Sequence, residues 1–161
     1  MERISDFTIR ELLKRKIATK NEFVYDPTTI VIDELNICYG SAIADVAVVN
    51  GILHGYEIKS ERDNLDRLPS QMDCYNKVFD KVTLVVSESH FNKAQNIIPE
   101  WWGIECVIKV KEKVKIKTIR RPRRNIKVDI FEVSQLLWRE ELLELLAMND
   151  INKGVKSKTR V

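Results

Sequence analysis

Short runs of Val, Ile and Leu, several of them alternating with polar residues, divide this chain into segments of strand length. The runs cover residues 29–38, 43–49, 53–59, 81–87 and 103–110. Their lengths and their β-branched residues are typical of strands, and residues 81–87 are predicted to form a buried strand. The pattern therefore predicts a β-sheet with buried central strands.

Between these runs, apolar residues recur at three- and four-residue spacing, which predicts helices. A first helix is predicted from a cap at Ser5 to about Lys16, and others near 66–79, 89–98 and 133–148. The core order is helix, three strands, helix and strand. This order indicates an α/β protein.

Three ionisable residues interrupt two neighbouring apolar runs. Asp45 lies on one run, and Glu57 and Lys59 lie on the next. Buried ionised groups must be paired or must ligate a metal. Two carboxylates that leave coordination positions open suit Mg²⁺ or Mn²⁺, and a lysine beside such a metal can orient or deprotonate a water that attacks a phosphodiester. The alternative is that Glu57 and Lys59 are solvated neighbours on an exposed edge strand.

The length of the loop between these two runs decides whether the acids meet. Asn50-Gly51 is a strong hairpin signal. A two-residue loop would send Asp45 and Glu57 to opposite faces of the sheet, because side chains alternate along a strand. A three-residue loop with Gly51 in a left-handed bulge would return both acids to one face. A metal site at these acids therefore predicts the three-residue loop.

The spacing of these residues resembles the core motif of a nuclease superfamily. Asp45, followed after eleven residues by Glu57 and then by Lys59, is similar to the motif of the PD-(D/E)XK nucleases, with Ala44 where the family name has proline. The resemblance implies the restriction-endonuclease-like fold, a mixed sheet flanked by helices with the core order αβββαβ, and a Mg²⁺-dependent deoxyribonuclease. It also implies that the main-chain carbonyl of Ile58 joins Asp45 and Glu57 at the metal.

A second motif lies on the predicted helix that follows. Gln71 and Tyr75 are four residues apart, so they project from one face of that helix. The pair looks like the Gln-x-x-x-Tyr motif of RecB-type nuclease domains, and this likeness implies that both residues position the scissile phosphate. Otherwise Tyr75 is a core aromatic and Gln71 a surface amide. Many of these nucleases carry a further acid earlier in the chain, for which Glu34 is the candidate and Asp33 the competitor.

The basic residues are concentrated in the last third of the chain. Residues 1–100 carry 12 basic and 16 acidic side chains, whereas residues 101–161 carry 15 and 8. Five lysines at alternate positions would line one face of a strand or ribbon and would suit a polyanion backbone. The alternative is an edge strand whose lysines prevent aggregation. The predicted nucleic-acid contacts are Lys109, Lys111, Lys113, Lys115, Lys117, Arg120, Arg121, Arg123 and Arg124.

Length and composition exclude several classes of protein. The chain has 161 residues, 44% of them hydrophobic and 32% charged, which indicates one domain over 1–150 and a basic tail over 151–161. No apolar stretch approaches the roughly 20 residues that a membrane span needs, and three scattered cysteines fit a reducing cytoplasm. The few glycines never form a Gly-rich loop, which disfavours a P-loop or a Rossmann site.

These observations together favour a small cytoplasmic nuclease that hydrolyses DNA phosphodiester bonds with Mg²⁺ or Mn²⁺. The sequence leaves open whether cleavage is endo- or exonucleolytic, whether RNA is also a substrate, and whether the chain forms a homodimer. The main alternative is a non-catalytic nucleic-acid-binding module that retains the nuclease fold.

Overall fold

The computed structural model describes residues 4–20, 26–151 and 154 of the chain. Within them six strands form one sheet, with five helices around it. None of these helices is both long and apolar enough to cross a membrane. The helices are α1 (Asp6–Ala18), α2 (Leu68–Val78), α3 (Glu88–Gln95), α4 (Ile130–Ser134) and α5 (Arg139–Met148). The strands are β1 (Ile30–Ile37), β2 (Ala42–Val49), β3 (Leu53–Lys59), β4 (Lys81–Ser87), β5 (Gly103–Val110) and β6 (Lys113–Arg120).

The sheet keeps the order of the chain, β1-β2-β3-β4-β5-β6. The first three strands form an antiparallel meander, β3, β4 and β5 are parallel, and β6 returns antiparallel to β5. Helices α2 and α3 lie in the two crossovers that join the parallel strands, as parallel neighbours require. The predicted α/β architecture, a mixed sheet flanked by helices, is therefore confirmed.

Helices cover both faces of the sheet. On one face Ile9, Leu13 and Ile17 of α1 are buried against the sheet, at the four-residue spacing that places them on one side of the helix. On the other face α2 and α3 cover a larger core, in which Trp102 is fully buried and donates through Nε1 to Asn76 Oδ1 (2.9 Å). Strands β3 and β4 lie between these two layers, and this position explains their almost continuous burial.

The hairpin between β2 and β3 has the loop that the candidate site requires. Val49 pairs with Leu53, so three residues form the loop, and Gly51 among them has a φ of 64°. Glycine adopts this left-handed conformation readily because it has no Cβ. The register brings Asp45 level with Glu57 across the hairpin, and the prediction of a three-residue loop is confirmed.

The basic segment forms a hairpin with lysines on both faces. Two residues make the turn between β5 and β6, and one of them, Lys111, has a φ of 56°. Because this loop is even, Lys109 lies opposite Val114, on the face that α1 covers. The prediction that five lysines share one face is therefore wrong. The lysines that do share a face, where they are exposed, are Lys113, Lys115 and Lys117.

The C-terminal segment contains two short helices instead of the single helix predicted over 133–148. At the start of α5 the backbone N–H of Trp138 donates to Glu141 Oε2 (2.6 Å). Backbone N–H groups at the start of a helix have no partner within the helix, and this bond satisfies one of them. A second helix therefore begins here, although the leucines have helical spacing across the whole segment. Most of the predicted basic tail, 151–161, lies outside the described residues.

Candidate active site

A fork in the sheet forms the cleft that holds the candidate residues. The β2–β3 ladder ends at the pair Val46 and Tyr56, although each strand stays paired with its outer neighbour beyond that point. The two strands therefore separate, and a cleft of about 530 Å³ opens at this end of the sheet. Asp45 Oδ2 spans the start of the gap and accepts a hydrogen bond from the backbone N–H of Ile58 (2.7 Å).

Glu57 is buried at the floor of this cleft with both carboxylate oxygens engaged. Its Oε1 accepts from Lys59 Nζ (2.6 Å), and its Oε2 accepts from the hydroxyl of Tyr75 (2.6 Å). Burial and the negative charge of Glu57 raise the pKa of Tyr75 well above its ordinary value, so the hydroxyl stays protonated and remains a donor. Tyr75 is fully buried behind Glu57. Its hydroxyl holds the carboxylate, and the expected contact of Tyr75 with a phosphate is not available in this arrangement.

Lys59 joins the strand and the helix of the two sequence motifs. Besides Glu57, its ammonium donates to Gln71 Oε1 (2.8 Å), and all three side chains line the cleft. Gln71 is buried, so the alternative of a surface amide is wrong. Two of the three N–H donors of Lys59 serve Glu57 and Gln71, which leaves one to point at a ligand in the cleft.

Asp45 carries a carboxylate whose ionised form is disfavoured by its surroundings. Burial raises its pKa to about 7, and the nearby negative charge of Glu57 acts in the same direction. The hydrogen bond from Ile58 and the positive charge of Lys59 lower the pKa and offset only part of this effect. A positive charge beside Asp45 would lower this pKa and favour the ionised carboxylate.

Arg10 supplies part of that positive charge and was not among the residues singled out from sequence. Its guanidinium lies 3.6 Å from Asp45 Oδ1, and it also pairs with Glu34 Oε1 (2.9 Å) and Asp6 Oδ2 (3.2 Å). Only a weak indication of this role for Arg10 is present in the sequence. Asp6 and Arg10 lie on the same face of α1 as the buried residues Leu13 and Ile17, at helical spacing from them. Helical spacing indicates which face is inward but not which strand that face meets.

Of the two candidates for a further acid, Glu34 is the one at the cleft. Glu34 lines the cleft and adopts a left-handed φ of 55°, whereas Asp33 pairs with Lys14 Nζ (2.8 Å) away from it. Glu34 is nevertheless 67% exposed and held by Arg10. Among the described residues, no three His, Cys, Asp or Glu side chains converge closely enough to hold a metal ion. Glu34 lines the cleft, and its role as a further metal ligand stays a prediction.

The remaining donors fit a hydrated Mg²⁺. Asp45 and Glu57 supply two carboxylates of like charge, burial and the charge of Glu57 raise the pKa of Asp45, and Ile58 lines the same cleft. Mg²⁺ commonly uses one or two carboxylates and keeps several waters, so two acids are sufficient. Lys59 and Arg10 already contact these carboxylates, so a metal ion would have to displace them or share the carboxylates with them.

The rim of the cleft is basic. Arg62 and Arg67 line it from the loop that follows β3. The start of this loop is fixed, because both the backbone N–H and the hydroxyl of Ser60 donate to Asp63 Oδ2 (2.7 and 2.6 Å). Two guanidinium groups thus lie beside the acidic floor.

Comparison with known proteins places the chain in a phage protein family. The sequence profile described as "Bacteriophage P4 protein cII" matches residues 10–161. The chain belongs to this family. Protein cII of Enterobacteria phage P4 is 29% identical to it over 116 residues, and the match covers 72% of this chain and 44% of that protein. The chain thus spans less than half the length of this relative.

A solved structure resembles the cII-family chain in fold. The "SPO1766 protein of unknown function from Silicibacter pomeroyi" matches with a TM-score of 0.51 and 16% identity, covering 92% of this chain and 97% of that one. At such low identity the likeness concerns the fold alone.

In this cII-family chain the predicted arginine contacts are mostly engaged within the protein. Arg120 donates to the main-chain oxygens of Trp102 (2.7 Å) and Pro99 (3.0 Å), and this structural role does not fit the predicted phosphate contact. The other pairs are Arg123 with Glu100 (3.4 Å) and Arg124 with Asp80 (3.9 Å). Arg121 lines a different cavity, at the opposite end of the sheet.

Proposed function

We propose that this cII-family chain is a metal-dependent nuclease that hydrolyses DNA phosphodiester bonds. The observation that carries the proposal is the fork between β2 and β3, where Asp45, Glu57 and Lys59 line one cleft. These residues come from two strands whose loop has the odd length that their chemistry demands. Chance placement of three charged residues in a buried hairpin would be costly, because buried charges require partners.

The proposal includes the restriction-endonuclease-like fold. Three antiparallel strands, the crossover helix α2 and the parallel strand β4 follow α1 in the order that the motif resemblance implies. Gln71 on α2 contacts Lys59 on β3, so the two sequence motifs meet through a direct hydrogen bond. This contact supports reading the motifs as one site.

The side chains of the cleft divide the work of hydrolysis. When bound at Asp45 and Glu57, Mg²⁺ would supply positive charge to the phosphoryl oxygens and lower the pKa of water. Lys59 has one N–H donor left to orient the attacking water. Gln71 gives its amide oxygen to Lys59, so its NH₂ group is the part that can donate to a phosphate oxygen. Tyr75 holds Glu57 in place from behind.

A non-catalytic nucleic-acid-binding module is the second candidate. It is favoured by a specific observation, since Lys59 and Arg10 already pair with Glu57 and Asp45 within the chain. Such internal pairing could stabilise the fold without any metal, while the basic rim and the exposed lysines of β6 held the nucleic acid.

A cleavage assay separates the two candidates. The purified chain is incubated with linear, circular, single-stranded and branched DNA in Mg²⁺, in Mn²⁺ or in chelator. The nuclease proposal expects cleavage of at least one form that requires metal and is lost in Glu57→Gln. The matched control is Glu112→Gln, because Glu112 is 94% exposed in the β5–β6 turn, far from the cleft in sequence. Binding without cleavage would support the second candidate, and neither binding nor cleavage would contradict both.

A further inference from the structure

A second cavity, which shares no lining residue with the cleft, lies at the other end of the sheet. Its volume is about 750 Å³, and it is bounded by the end of α1, the starts of β3, β4 and β5, and the end of β6. Ligand sites in proteins commonly have volumes of roughly 300–1,000 Å³, so it can hold a ligand larger than a single ion. The lining side chains that matter for recognition are Lys20, His54, Lys81, Thr83, Glu105 and Arg121.

A chain of buried hydrogen bonds ends at the wall of this cavity. Lys20 Nζ, which can only donate, bonds the Tyr56 hydroxyl oxygen (3.0 Å), and that hydroxyl lies 3.4 Å from His54 Nδ1. Burial, aided by Lys20 and Lys81, lowers the pKa of His54 to about 3, so the ring is neutral. In the tautomer with the proton on Nε2, Nδ1 can accept from the Tyr56 hydroxyl and Nε2 donates to Thr83 Oγ1 (2.9 Å). In that tautomer the hydroxyl proton of Thr83 is left to donate to an acceptor in the cavity.

A buried carboxylate supplies the complementary acceptor. Glu105 is 3% exposed, and its Oε1 is bound by Lys16 Nζ (3.0 Å) and Thr118 Oγ1 (3.4 Å). Its Oε2 is buried and has no hydrogen-bond partner within the part of the chain that the structure describes. A buried oxygen without a donor is costly, which makes it a position where a ligand's N–H or O–H group would be stabilised.

The rest of the lining is positively charged. Lys81 and Arg121 line the cavity together with Lys20, against the single carboxylate of Glu105. Arg120 also lies there, but its guanidinium is engaged by main-chain oxygens. The cavity thus has two features for recognition. Its cations and a hydroxyl donor suit an anion, and one carboxylate oxygen can accept a hydrogen bond from a neutral donor group.

We propose that this cavity binds a nucleoside phosphate. The phosphate would be held by Lys81, Arg121 and the hydroxyl of Thr83, and a hydroxyl or amino group of the nucleoside would donate to Glu105 Oε2. Inorganic phosphate lacks the hydroxyl and amino groups of the nucleoside, and a nucleoside lacks the phosphate. The ligand could be a free nucleotide or the phosphorylated end of a DNA strand, since both present the same chemistry. This binding does not depend on the metal chemistry of the cleft.

The test is isothermal titration calorimetry of the full chain. The probes are deoxyadenosine 5′-monophosphate, deoxyadenosine, inorganic phosphate, and one oligonucleotide with either a 5′-phosphate or a 5′-hydroxyl. The monophosphate should bind, and deoxyadenosine and phosphate should bind at least about tenfold more weakly. A tighter complex with the 5′-phosphorylated oligonucleotide would assign the site to DNA ends, and no preference between the oligonucleotides would assign it to free nucleotides.

Variants locate the binding. Arg121→Ala should weaken the monophosphate by about tenfold or more, since a charge-assisted hydrogen bond is removed, whereas the control Arg124→Ala should not change it. Both arginines are exposed, so neither substitution threatens folding. Glu105→Gln should weaken the monophosphate but not inorganic phosphate, and Asp45→Asn should leave binding unchanged. Absence of heat with the monophosphate, or equal affinity in wild type and Arg121→Ala, would overturn the proposal.

Discussion

Charge at Asp45 couples the stability of the fold to the chemistry of the cleft. The pKa of about 7 arises from burial and from the negative charge of Glu57. Above this pH the folded protein holds an ionised carboxylate that its surroundings disfavour. A bound cation would relieve that cost, so the same residue lowers the stability of the metal-free fold and promotes metal binding.

We expect Asp45→Asn to stabilise the metal-free protein at pH 8. Below about pH 4 the carboxyl is protonated in both the folded and the unfolded state, so wild type and variant should have similar stability. Between pH 4 and 7 the unfolded chain loses this proton while the folded protein keeps it. The free energy of unfolding of wild type should therefore fall relative to the variant, by about 2–4 kcal/mol at pH 8. Urea unfolding in chelator at pH 4 and pH 8 measures the difference.

Mg²⁺ should reduce this difference in stability between wild type and Asp45→Asn. Added Mg²⁺ should raise the midpoint of thermal unfolding of wild type at pH 8 and leave that of Asp45→Asn unchanged, because a ligand stabilises only the state that binds it. A variant that is no more stable than wild type at pH 8, or that gains equally from Mg²⁺, would contradict this account of Asp45.

Individual residues differ in how far the sequence reveals them. Asp45, Glu57 and Lys59 stand out because charged residues inside apolar strands conflict with burial. Arg10 does not stand out, because a charged residue on an amphipathic helix is ordinary until the fold places it over a cleft. The prediction for Tyr75 fails in one respect for a similar reason, since spacing gives the face of a helix but not the depth of a side chain.

Loop length is the main determinant at the scale of the elements. The three-residue loop between β2 and β3 brings Asp45 level with Glu57, whereas the two-residue turn between β5 and β6 separates Lys109 from Lys113. The first loop contains Asn50-Gly51, so its presence could be predicted, and its length followed from the chemistry. The second turn places a lysine at positive φ and has no glycine to mark it. This is why the basic segment was predicted as one stripe.

Replacing Gly51 tests the conformation of the first loop. A Cβ at this position would contact nothing within 4 Å, so the only penalty of Gly51→Ala is its left-handed φ of 64°. We expect a decrease of about 1 kcal/mol in the free energy of unfolding. Gly51→Asn is the control, since asparagine tolerates this conformation better and should lose less. Equal stability of all three proteins in urea would mean that the loop is not held in the left-handed form.

The exposed lysines of β6 allow a test of the nucleic-acid surface. In the double variant Lys113→Ala/Lys115→Ala, DNA affinity should fall regardless of sequence. The slope of log affinity against log salt should decrease by about 0.9 for each phosphate that the variant no longer neutralises. The control is Lys77→Ala, on α2. Because β6 is an edge strand, its lysines could instead prevent aggregation. An unchanged slope together with greater turbidity would favour that role.

At the scale of the whole molecule, two polar cavities lie at opposite ends of α1 and of the sheet. The acidic cleft lies at the start of the helix, and the basic cavity lies at its end. The sequence predicted the sheet that separates them, because alternation and buried runs follow directly from strand geometry. It did not predict the second cavity, whose residues come from five elements and share no motif.

The central claim is that Lys59 acts in phosphodiester hydrolysis and does not merely neutralise Glu57. The most direct measurement is the single-turnover rate of DNA cleavage at saturating Mg²⁺ for wild type, Lys59→Ala and the control Lys77→Ala. We expect wild type and Lys77→Ala to cleave at the same rate and Lys59→Ala to be slower by about 10² or more, the range for losing a positioned proton-transfer group. Equal rates for wild type and Lys59→Ala would contradict the account.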